Sequence, residues 1–373
     1  MPRFSVLRLL PDGRVDTSFG GQNLDPPGLV ETDFGLRSEV RTVAIQPDGK
    51  IVAFGRDGGD KHVSYFAIAR YLENGQLDPT FGDNGHPRTH VTENRGGALG
   101  GVVLPSGQLI AAGYKYPRND TKPAVGLLIA YGPDGDLESR FGKRGFLSIK
   151  ASDRQSLMIT DAELLPSGKL MLGGQVGGRF MLMRIFTNGQ IDRSFGNQGG
   201  VLTDVDGVKS CPCAYTSAMT LGPGGKILMT GRVTGPKSSP AVLVRYLANG
   251  RLDRGFGRKG IVRVTRGRGL EFEDVGVAPS GAITAAGAWR NPRSGEIEAA
   301  VARFQPNGAL DSTFGASGLF SRDFGLVSVA SAVLVQPDGK VVVGGRANPA
   351  PSEFPEIPNP LIGAEYLVMR FLP

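Results

Sequence analysis

A six-residue motif ending in Phe-Gly recurs six times along the chain at intervals of about 60 residues. Short recurring motifs of this kind are called words below. The aromatic residues of the Phe-Gly word are Phe19, Phe81, Phe141, Phe195, Phe256 and Phe314. A second word, Pro-x-Gly followed by an apolar run that ends in Gly, keeps the same period from Pro47-Asp48-Gly49 to Pro337-Asp338-Gly339. A fixed period indicates that one supersecondary unit is copied along the chain. Because the copies span nearly all of the 373 residues, we expect a single domain over residues 1–373.

Each repeat contains four short runs with the pattern of β-strands, in the first repeat at 40–46, 50–54, 65–71 and 86–91. Pro presets φ at the first turn position and Gly accepts a positive φ, so each Pro-x-Gly word predicts a tight hairpin turn. A second hairpin turn is indicated by Asn-Gly or Asp-Gly before the Phe-Gly word, as at Asn74-Gly75. We therefore predict four antiparallel strands per repeat in meander order, and we label them a, b, c and d.

Six such units in one chain are typical of an all-β, six-bladed β-propeller, since a radial arrangement buries both faces of every blade. A linear β-solenoid is the alternative, but two-hairpin repeats make poor solenoid coils. The composition agrees, because 56 Gly and 26 Pro disfavour long helices.

The pattern of strand c occurs a seventh time, because residues 4–10 and 365–371 both carry it. We expect the ring to be closed by pairing N- and C-terminal strands in one blade. The C-terminal end would supply a and b near 329–335 and 341–343, and residues 29–32 would supply the outer strand. Arg8 and Arg370 then compete for Asp16, and the sequence leaves open which strand c is displaced outward.

The turn Pro47-Asp48-Gly49-Lys50, the apolar strand ending in Gly55-Arg56 and the later Phe-Gly word resemble the bacterial delta-60 repeat family. The resemblance covers all six repeats, roughly residues 4–373. It implies a β-propeller found mostly in secreted or envelope proteins, often as arrays within larger chains. It implies no reaction and assigns the motif residues to architecture. The first ten residues lack the layout of a secretory signal, so the sequence leaves the compartment open, as it does whether the chain is a fragment.

Charged residues recur eight positions apart in strand c and the following word. The pairs are Arg8 and Asp16, Arg70 and Asp78, Arg184 and Asp192, Arg245 and Asp253, and Arg303 and Asp311. In the remaining repeat both change, to Ala130 and Glu138. The spacing predicts either an Arg–carboxylate bridge across the c–d hairpin or an acid that caps backbone N–H groups of the turn. Both interpretations are structural.

In a meander the a–b and c–d turns lie at one edge of the sheet, here called the turn edge. The b–c and d–a connections lie at the other, here called the variable edge, because individual sequence is confined to them. Aromatic residues and arginines on the variable edge suit protein, glycan or small anionic ligands. The candidate ligand-binding residues are Trp289, Arg290, Arg293, Tyr114, Tyr116, Arg118, Arg232 and Tyr215. The net charge, 42 − 35 = +7, is too mild to favour nucleic acid.

Polar residues on the innermost strands a raise an alternative function. Asp161, Glu163 and Asp274 could serve as acid or base in a central depression, as in a propeller hydrolase or lyase acting on an anionic or sugar substrate. Other repeats place Gly100 and Ala218 level with the two aspartates, so the ring of carboxylates is incomplete. The sequence does not decide whether the protein is an enzyme, and it favours a non-catalytic binding or scaffold protein.

Cys211-Pro212-Cys213 is the most singular local word. The two thiols could stay free, form a strained and reducible disulfide, or supply two soft metal ligands. Two ligands do not make a zinc site, so we expect no metal and no cofactor. No apolar run approaches the ~18 residues of a membrane span, so we expect no transmembrane segment, and we expect a monomer.

Overall fold

The computed structural model describes residues 3–21, 26–58, 63–92, 95–117, 122–205, 214–234, 239–266, 269–325, 327–348 and 365–372. Within these ranges the chain is all-β and contains no α-helix; its helical content is the 3-10 turn Pro223–Gly225. No helical segment of the described residues has the length and hydrophobicity of a membrane span. Cysteines 211 and 213 and Arg118 lie outside the described residues.

The strands follow one another with short connections. They are β1 (Phe4–Leu7), β2 (Leu29–Thr32), β3 (Ser38–Ile45), β4 (Ile51–Gly58), β5 (Ser64–Tyr71), β6 (Arg88–Thr92), β7 (Gly96–Val103), β8 (Leu109–Lys115), β9 (Val125–Tyr131), β10 (Phe146–Ile149), β11 (Leu157–Leu164), β12 (Leu170–Val176), β13 (Arg179–Ile185), β14 (Gly200–Thr203), β15 (Ala214–Gly222), β16 (Lys226–Val233), β17 (Ala241–Tyr246), β18 (Ile261–Val264), β19 (Leu270–Val277), β20 (Ile283–Arg290), β21 (Ile297–Phe304), β22 (Leu319–Arg322), β23 (Val327–Val335), β24 (Val341–Asn348) and β25 (Glu365–Phe371).

Four antiparallel sheets contain four strands each, paired in chain order: sheet 1 (β3–β6), sheet 2 (β7–β10), sheet 3 (β11–β14) and sheet 4 (β15–β18). Sheet 5 (β19–β22) repeats the same order. Sheet 6 (β23–β25) is joined to sheet 5 by one parallel bridge between Ile297 and Val327. The predicted all-β chain of four-stranded antiparallel meanders is thereby confirmed.

The two ends of the chain each keep their own strand c. β1 pairs with β2, and β25 pairs with β24 along its whole length, from Glu365 to Phe371. Among the described strands, none from the N-terminal segment pairs with β24, because β25 already occupies that edge. The closed ring of six blades therefore stays a prediction.

The chain divides into two compact units, an N-terminal unit of residues 1–177 and 183–192 and a C-terminal unit of residues 178–182 and 193–373. In the N-terminal unit the first strands of consecutive sheets, β3, β7 and β11, are neighbours. In the C-terminal unit β15, β19 and β23 are neighbours in the same way. Within each unit, apolar cores fill the space between consecutive sheets.

The Phe-Gly words fasten consecutive sheets. Phe19 is fully buried, and a Cβ added to Gly75, in the c–d turn of sheet 1, would lie 2.8 Å from its ring. The N–H of Gly20 donates to the carbonyl of Asn74 in that turn at 2.6 Å. Equivalent bonds join Gly82 to Asp134, Gly142 to Asn188 and Gly257 to Asn307. Each turn glycine is thus needed for close approach to the neighbouring sheet.

Every strand a carries a β-bulge at the same place, for example between Val40 and Thr42 of β3. Opposite each bulge, strand b has a glycine at which an added Cβ would lie 1.9–2.2 Å from a backbone carbonyl oxygen of strand a. These glycines are Gly55, Gly113, Gly174, Gly231, Gly287 and Gly345. The glycine that ends each apolar run therefore permits the bulge, which bends the strand.

A tyrosine–threonine hydrogen bond joins strand c to the outer strand of the preceding sheet where the residues allow it. The hydroxyls of Tyr71 and Thr32 lie 2.7 Å apart, and Tyr131 donates to Thr89 at 2.8 Å. At the equivalent positions, Ile149 and Ile185 are both apolar. Tyrosine therefore occurs where threonine can pair with its hydroxyl, as burial of a phenol requires.

Candidate functional site

The charged residues of the repeat form a network at the turn edge. Arg70 Nε lies 2.9 Å from Asp78 Oδ2, while Asp78 Oδ1 accepts the backbone N–H and the hydroxyl of Thr80 at 3.0 and 2.6 Å. The bridge and the cap that the spacing suggested are thus both present in one carboxylate. The guanidinium also stacks 4.2 Å above the Phe81 ring. The same Arg–Asp bridge is seen for Arg8 and Asp16, Arg184 and Asp192, Arg245 and Asp253, and Arg303 and Asp311.

Sequence reasoning missed a third member of this network. The lysine that follows the Pro-x-Gly turn places its Nζ on the same carboxylate, at 3.2 Å for Lys50 and Asp78. Lys169 and Lys226 do the same at 2.9 and 3.0 Å, toward Asp192 and Asp253. The available signal was the fixed position of these lysines three residues after the proline.

On the variable edge of the N-terminal unit, aromatic rings and arginines stack together. Tyr114 and Tyr116 make an edge-on contact with ring centres 5.9 Å apart, and Arg95 lies 5.3 Å above Tyr116. Arg56, at the end of β4, bridges Glu39 at 3.0 Å. This part of the edge therefore presents two tyrosine rings, one of them covered by a guanidinium group.

A second cluster lies on the variable edge of the C-terminal unit. Tyr215 is 42% exposed, and Arg232 lies 5.3 Å above its ring. An Nη1 hydrogen bond and ion pair link Arg232 to Glu271 of the next sheet. Arg232 Nε is buried and has no hydrogen-bond partner among the described residues. We call Tyr215, Arg232 and Glu271 the tyrosine cluster; it places an aromatic face, donors and an acceptor side by side.

Trp289 lies in the core instead of on the surface. Its side chain is 9% exposed, and its Nε1 donates to the carbonyl of Arg266 at 2.8 Å, while the guanidinium of Arg266 covers the ring. Arg290 and Arg293 are exposed, and Arg290 Nη1 donates to the carbonyl of Gly295 at 2.8 Å. A ligand can therefore reach the two arginines, but little of the indole.

The candidate carboxylates hold backbone groups near the strand-a bulges. Asp274 accepts the N–H groups of Val275 and Val333 at 2.7 and 2.6 Å. Burial raises the pKa of Asp274 to about 6, although both hydrogen bonds act in the opposite direction. Asp161 accepts the N–H of Ala162 at 2.8 Å. Asp161 and Glu163 belong to the N-terminal unit and Asp274 to the C-terminal unit.

No group of three or more His, Cys, Asp or Glu side chains in the described part of the chain is arranged to hold a metal ion. The described residues thus offer no metal centre.

Comparison with known families singles out the repeat words. Four segments, 2–19, 46–81, 165–195 and 278–314, match a family model described as "Domain of unknown function (DUF5122) beta-propeller". All four end at the Phe of a Phe-Gly word, and the last three begin one residue before the Pro of a Pro-x-Gly word. No curated protein matches the sequence of this chain. The matches agree with the repeated sheets and support a β-propeller fold.

Several solved structures resemble the chain at low sequence identity. An ulvan lyase of polysaccharide lyase family PL25 is 10% identical, with 84% of this chain and 76% of that chain covered and a TM-score of 0.46. Sqt1 from Chaetomium thermophilum, bound to the N-terminus of ribosomal protein L10, is 12% identical, with 83% and 70% covered and a TM-score of 0.45. The α-L-arabinofuranosidase arb93a from Fusarium graminearum is 10% identical, with 88% and 91% covered and a TM-score of 0.42.

Proposed function

We propose that this protein is a non-catalytic binding or scaffold protein that holds a protein, glycan or small anionic ligand at its variable edge. The observation that carries the proposal is the tyrosine cluster. The half-exposed ring of Tyr215 offers a flat apolar face, the guanidinium of Arg232 offers donors, and the carboxylate of Glu271 offers an acceptor. Aromatic and arginine side chains in this combination are the usual anchors of binding surfaces.

The turn edge supports the same assignment by contrast. There, Arg70, Asp78 and Lys50 neutralise one another and bond to Thr80. Arg70 and Asp78 are also only 5% and 2% exposed, whereas Arg232 and Glu271 are 37% and 35% exposed and can still contact a ligand. Recognition is therefore best placed where the connections differ from repeat to repeat.

The binding proposal is tested by screening glycan and peptide arrays with the whole chain and measuring the affinity of each hit in variants. We expect Tyr215→Ala to weaken binding at least about tenfold, because the stacking face is lost. Arg232→Ala should weaken it as well. Arg254→Ala, an exposed arginine of a turn-edge word, is the matched control and should leave the affinity unchanged. Equal affinities in the wild type and Tyr215→Ala would remove the cluster from the binding site.

We also propose that the chain forms one closed domain of six blades over residues 1–373. In this arrangement β1 takes the place beside β24 that β25 now occupies, and β2 becomes the outer strand. One observation in each unit supports it. A Cβ added at Gly13 meets nothing within 4 Å, whereas at the equivalent Gly75 it meets Phe19. Phe314 is 8% exposed, whereas Phe19 is fully buried.

The closed ring would also bring Lys340 to Asp16, because Lys340 has the position that Lys226 has relative to Asp253. We expect the double-mutant cycle of Lys340→Ala and Asp16→Asn to give a coupling free energy of unfolding similar to that of the Lys226→Ala and Asp253→Asn cycle. The second cycle is the reference, since Lys226 and Asp253 form an ion pair at 3.0 Å. Additive effects in the first cycle alone would contradict the closure.

The alternative function, a hydrolase or lyase acting on an anionic or sugar substrate, is favoured by one observation: burial raises the pKa of Asp274 to about 6, within reach of a general acid or base. However, both carboxylate oxygens of Asp274 already accept backbone N–H groups. A structural role in holding β19 to β23 accounts for these contacts, so we prefer the binding protein.

A further inference from the structure

A groove with a volume of about 250 Å³ opens between sheets 5 and 6 of the C-terminal unit, at the turn edge. Its lining includes Ala282, Arg303, Asp311, Phe314, Val341 and Phe371. The equivalent groove between sheets 4 and 5 has a volume of about 210 Å³ and is lined by Lys226 and Arg245 but not by Asp253. The two grooves thus differ in whether the carboxylate of the repeat is accessible.

The difference comes from one side chain. In sheets 1, 3 and 4 a lysine that follows the Pro-x-Gly turn places its Nζ 2.9–3.2 Å from the repeat aspartate. Sheet 5 has Ala282 at that position. The side chain of Asp311 is 22% exposed, compared with 2%, 5% and 13% for Asp78, Asp192 and Asp253, which each have such a lysine. The space that a lysine side chain fills in the other sheets forms part of the groove here.

We propose that this groove is a binding site for a primary ammonium group carried on an apolar chain. Lys50, Lys169 and Lys226 show how such a ligand would bind, because each places its ammonium group on an equivalent aspartate. The recognised chemistry is that of a small alkylamine or of a lysine side chain on another protein. The site is at the turn edge, so it is separate from the tyrosine cluster and goes beyond the proposed function.

The carboxylate is ready to receive such a group. Arg303 Nε and the backbone N–H and hydroxyl of Thr313 hold Asp311 in place at 2.7, 3.0 and 2.6 Å. These contacts, those of Thr313 first, lower the pKa of Asp311 below its ordinary value of 3.8, so it is charged at neutral pH. An ammonium would add the contact that Lys50 makes with Asp78 in sheet 1.

The walls of the groove suit the rest of the ligand. Ala278, Ala282 and Val341 supply aliphatic surface that does not depend on which terminal strand lies beside β24. An alkyl chain would therefore be desolvated against aliphatic carbons while its charged end reaches Asp311. A neutral molecule of the same length would make the apolar contacts but would not form the ion pair with Asp311.

The test titrates the whole protein with n-butylammonium, the analogue of a lysine side chain, and follows binding by NMR. We expect saturable binding at one groove, at least about tenfold weaker for the neutral isostere 1-butanol. Asp311→Asn should weaken binding of the ammonium at least about tenfold. Ala282→Lys fills the site with the chain's own ammonium group and should abolish binding. Lys226→Ala opens the equivalent groove and should add a second site.

Each outcome bears on the proposal. Equal affinity for 1-butanol and n-butylammonium, or unchanged binding in Ala282→Lys, overturns it, since the groove would then be a nonspecific apolar surface. If Asp311→Asn fails to fold, the Ala282→Lys and Lys226→Ala variants still test whether the groove binds an ammonium group. A parallel titration with Nα-acetyl-lysine methylamide separates the sources. Binding of both compounds supports a site that accepts lysine side chains, and binding of n-butylammonium alone supports a site for small free amines.

Discussion

Replacing Gly345 with alanine is expected to lower the free energy of unfolding by about 3 kcal/mol or more. An added Cβ would lie 2.1 Å from the carbonyl oxygen of Val329. That oxygen belongs to the backbone of β23, which is held by its pairing with β24 on both sides of the bulge. Neither atom can move away without breaking the ladder, so the clash must be relieved by distorting the sheet.

The matched control is the adjacent residue of the same strand. At Gly344 an added Cβ meets only the Cβ of Ala332, at 4.0 Å, and the backbone of Gly344 does not have a positive φ. Gly344→Ala should therefore be neutral, or stabilising by about 0.4–1 kcal/mol through the entropy of the unfolded chain. Urea unfolding of both variants measures the difference. Equal destabilisation would show that the close approach at the bulge is not what selects glycine.

Replacing Arg70 with leucine is expected to lower the free energy of unfolding by about 3–5 kcal/mol. The side chains of Arg70 and Asp78 are 5% and 2% exposed. Removing the guanidinium leaves the Asp78 carboxylate buried with a single cationic partner, Lys50, and also removes the Nη1 bond to the carbonyl of Pro133 in the next sheet. The cost arises because a buried carboxylate and a backbone carbonyl both lose their guanidinium partner, which is why it exceeds the value of the bridge itself.

Arg14→Leu is the control for Arg70→Leu. Arg14 Nε lies 2.7 Å from Asp12 Oδ2, slightly closer than in the buried pair, but the two side chains are 77% and 51% exposed. Exposed ion pairs contribute little because water screens them. We expect no measurable change in thermal unfolding for Arg14→Leu. A loss as large as that of Arg70→Leu would mean that burial does not set the energy of these pairs.

The same network makes the free energy of unfolding depend on pH. Burial alone raises the pKa of Asp78, but the hydrogen bonds from Thr80 and the charges of Lys50 and Arg70 outweigh it and hold the pKa at about 2, below its ordinary value of 3.8. Because the folded-state pKa is the lower one, the stabilisation is present above about pH 4 and is lost as pH falls toward 2. The stability difference between wild type and Asp78→Asn should therefore shrink between pH 5 and pH 3.

Local features of the fold were predictable because they depend on residues close in sequence. The Pro47-Asp48-Gly49 turn and the eight-residue spacing of Arg70 and Asp78 each lie within one hairpin, so spacing alone places their partners. The bulge was not predicted, although the glycine that permits it was noticed. Its reason is a close approach between two strands, and no single strand shows that in its pattern.

Features that depend on contacts between sheets were not predictable. The sequence predicts an accessible Trp289 in a connection of the variable edge, but Trp289 lies within β20, Arg266 covers its ring and the core encloses it. Tyr131 and Thr89 meet although they are 42 residues apart. A periodic sequence predicts which positions are equivalent, but not which of them a neighbouring sheet buries.

The amino-acid order alone therefore establishes an all-β chain of repeated four-stranded meanders, its turns, and its division into a uniform and a variable edge, because hairpins form from neighbouring residues. The tertiary structure decides the rest: that Arg232 pairs with Glu271 of the next sheet, that Trp289 is buried, and that a groove between two sheets gives access to Asp311. Contacts between sheets join residues far apart in sequence, 23 positions for Trp289 and Arg266 and 59 for Asp274 and Val333, and only the folded chain brings these together.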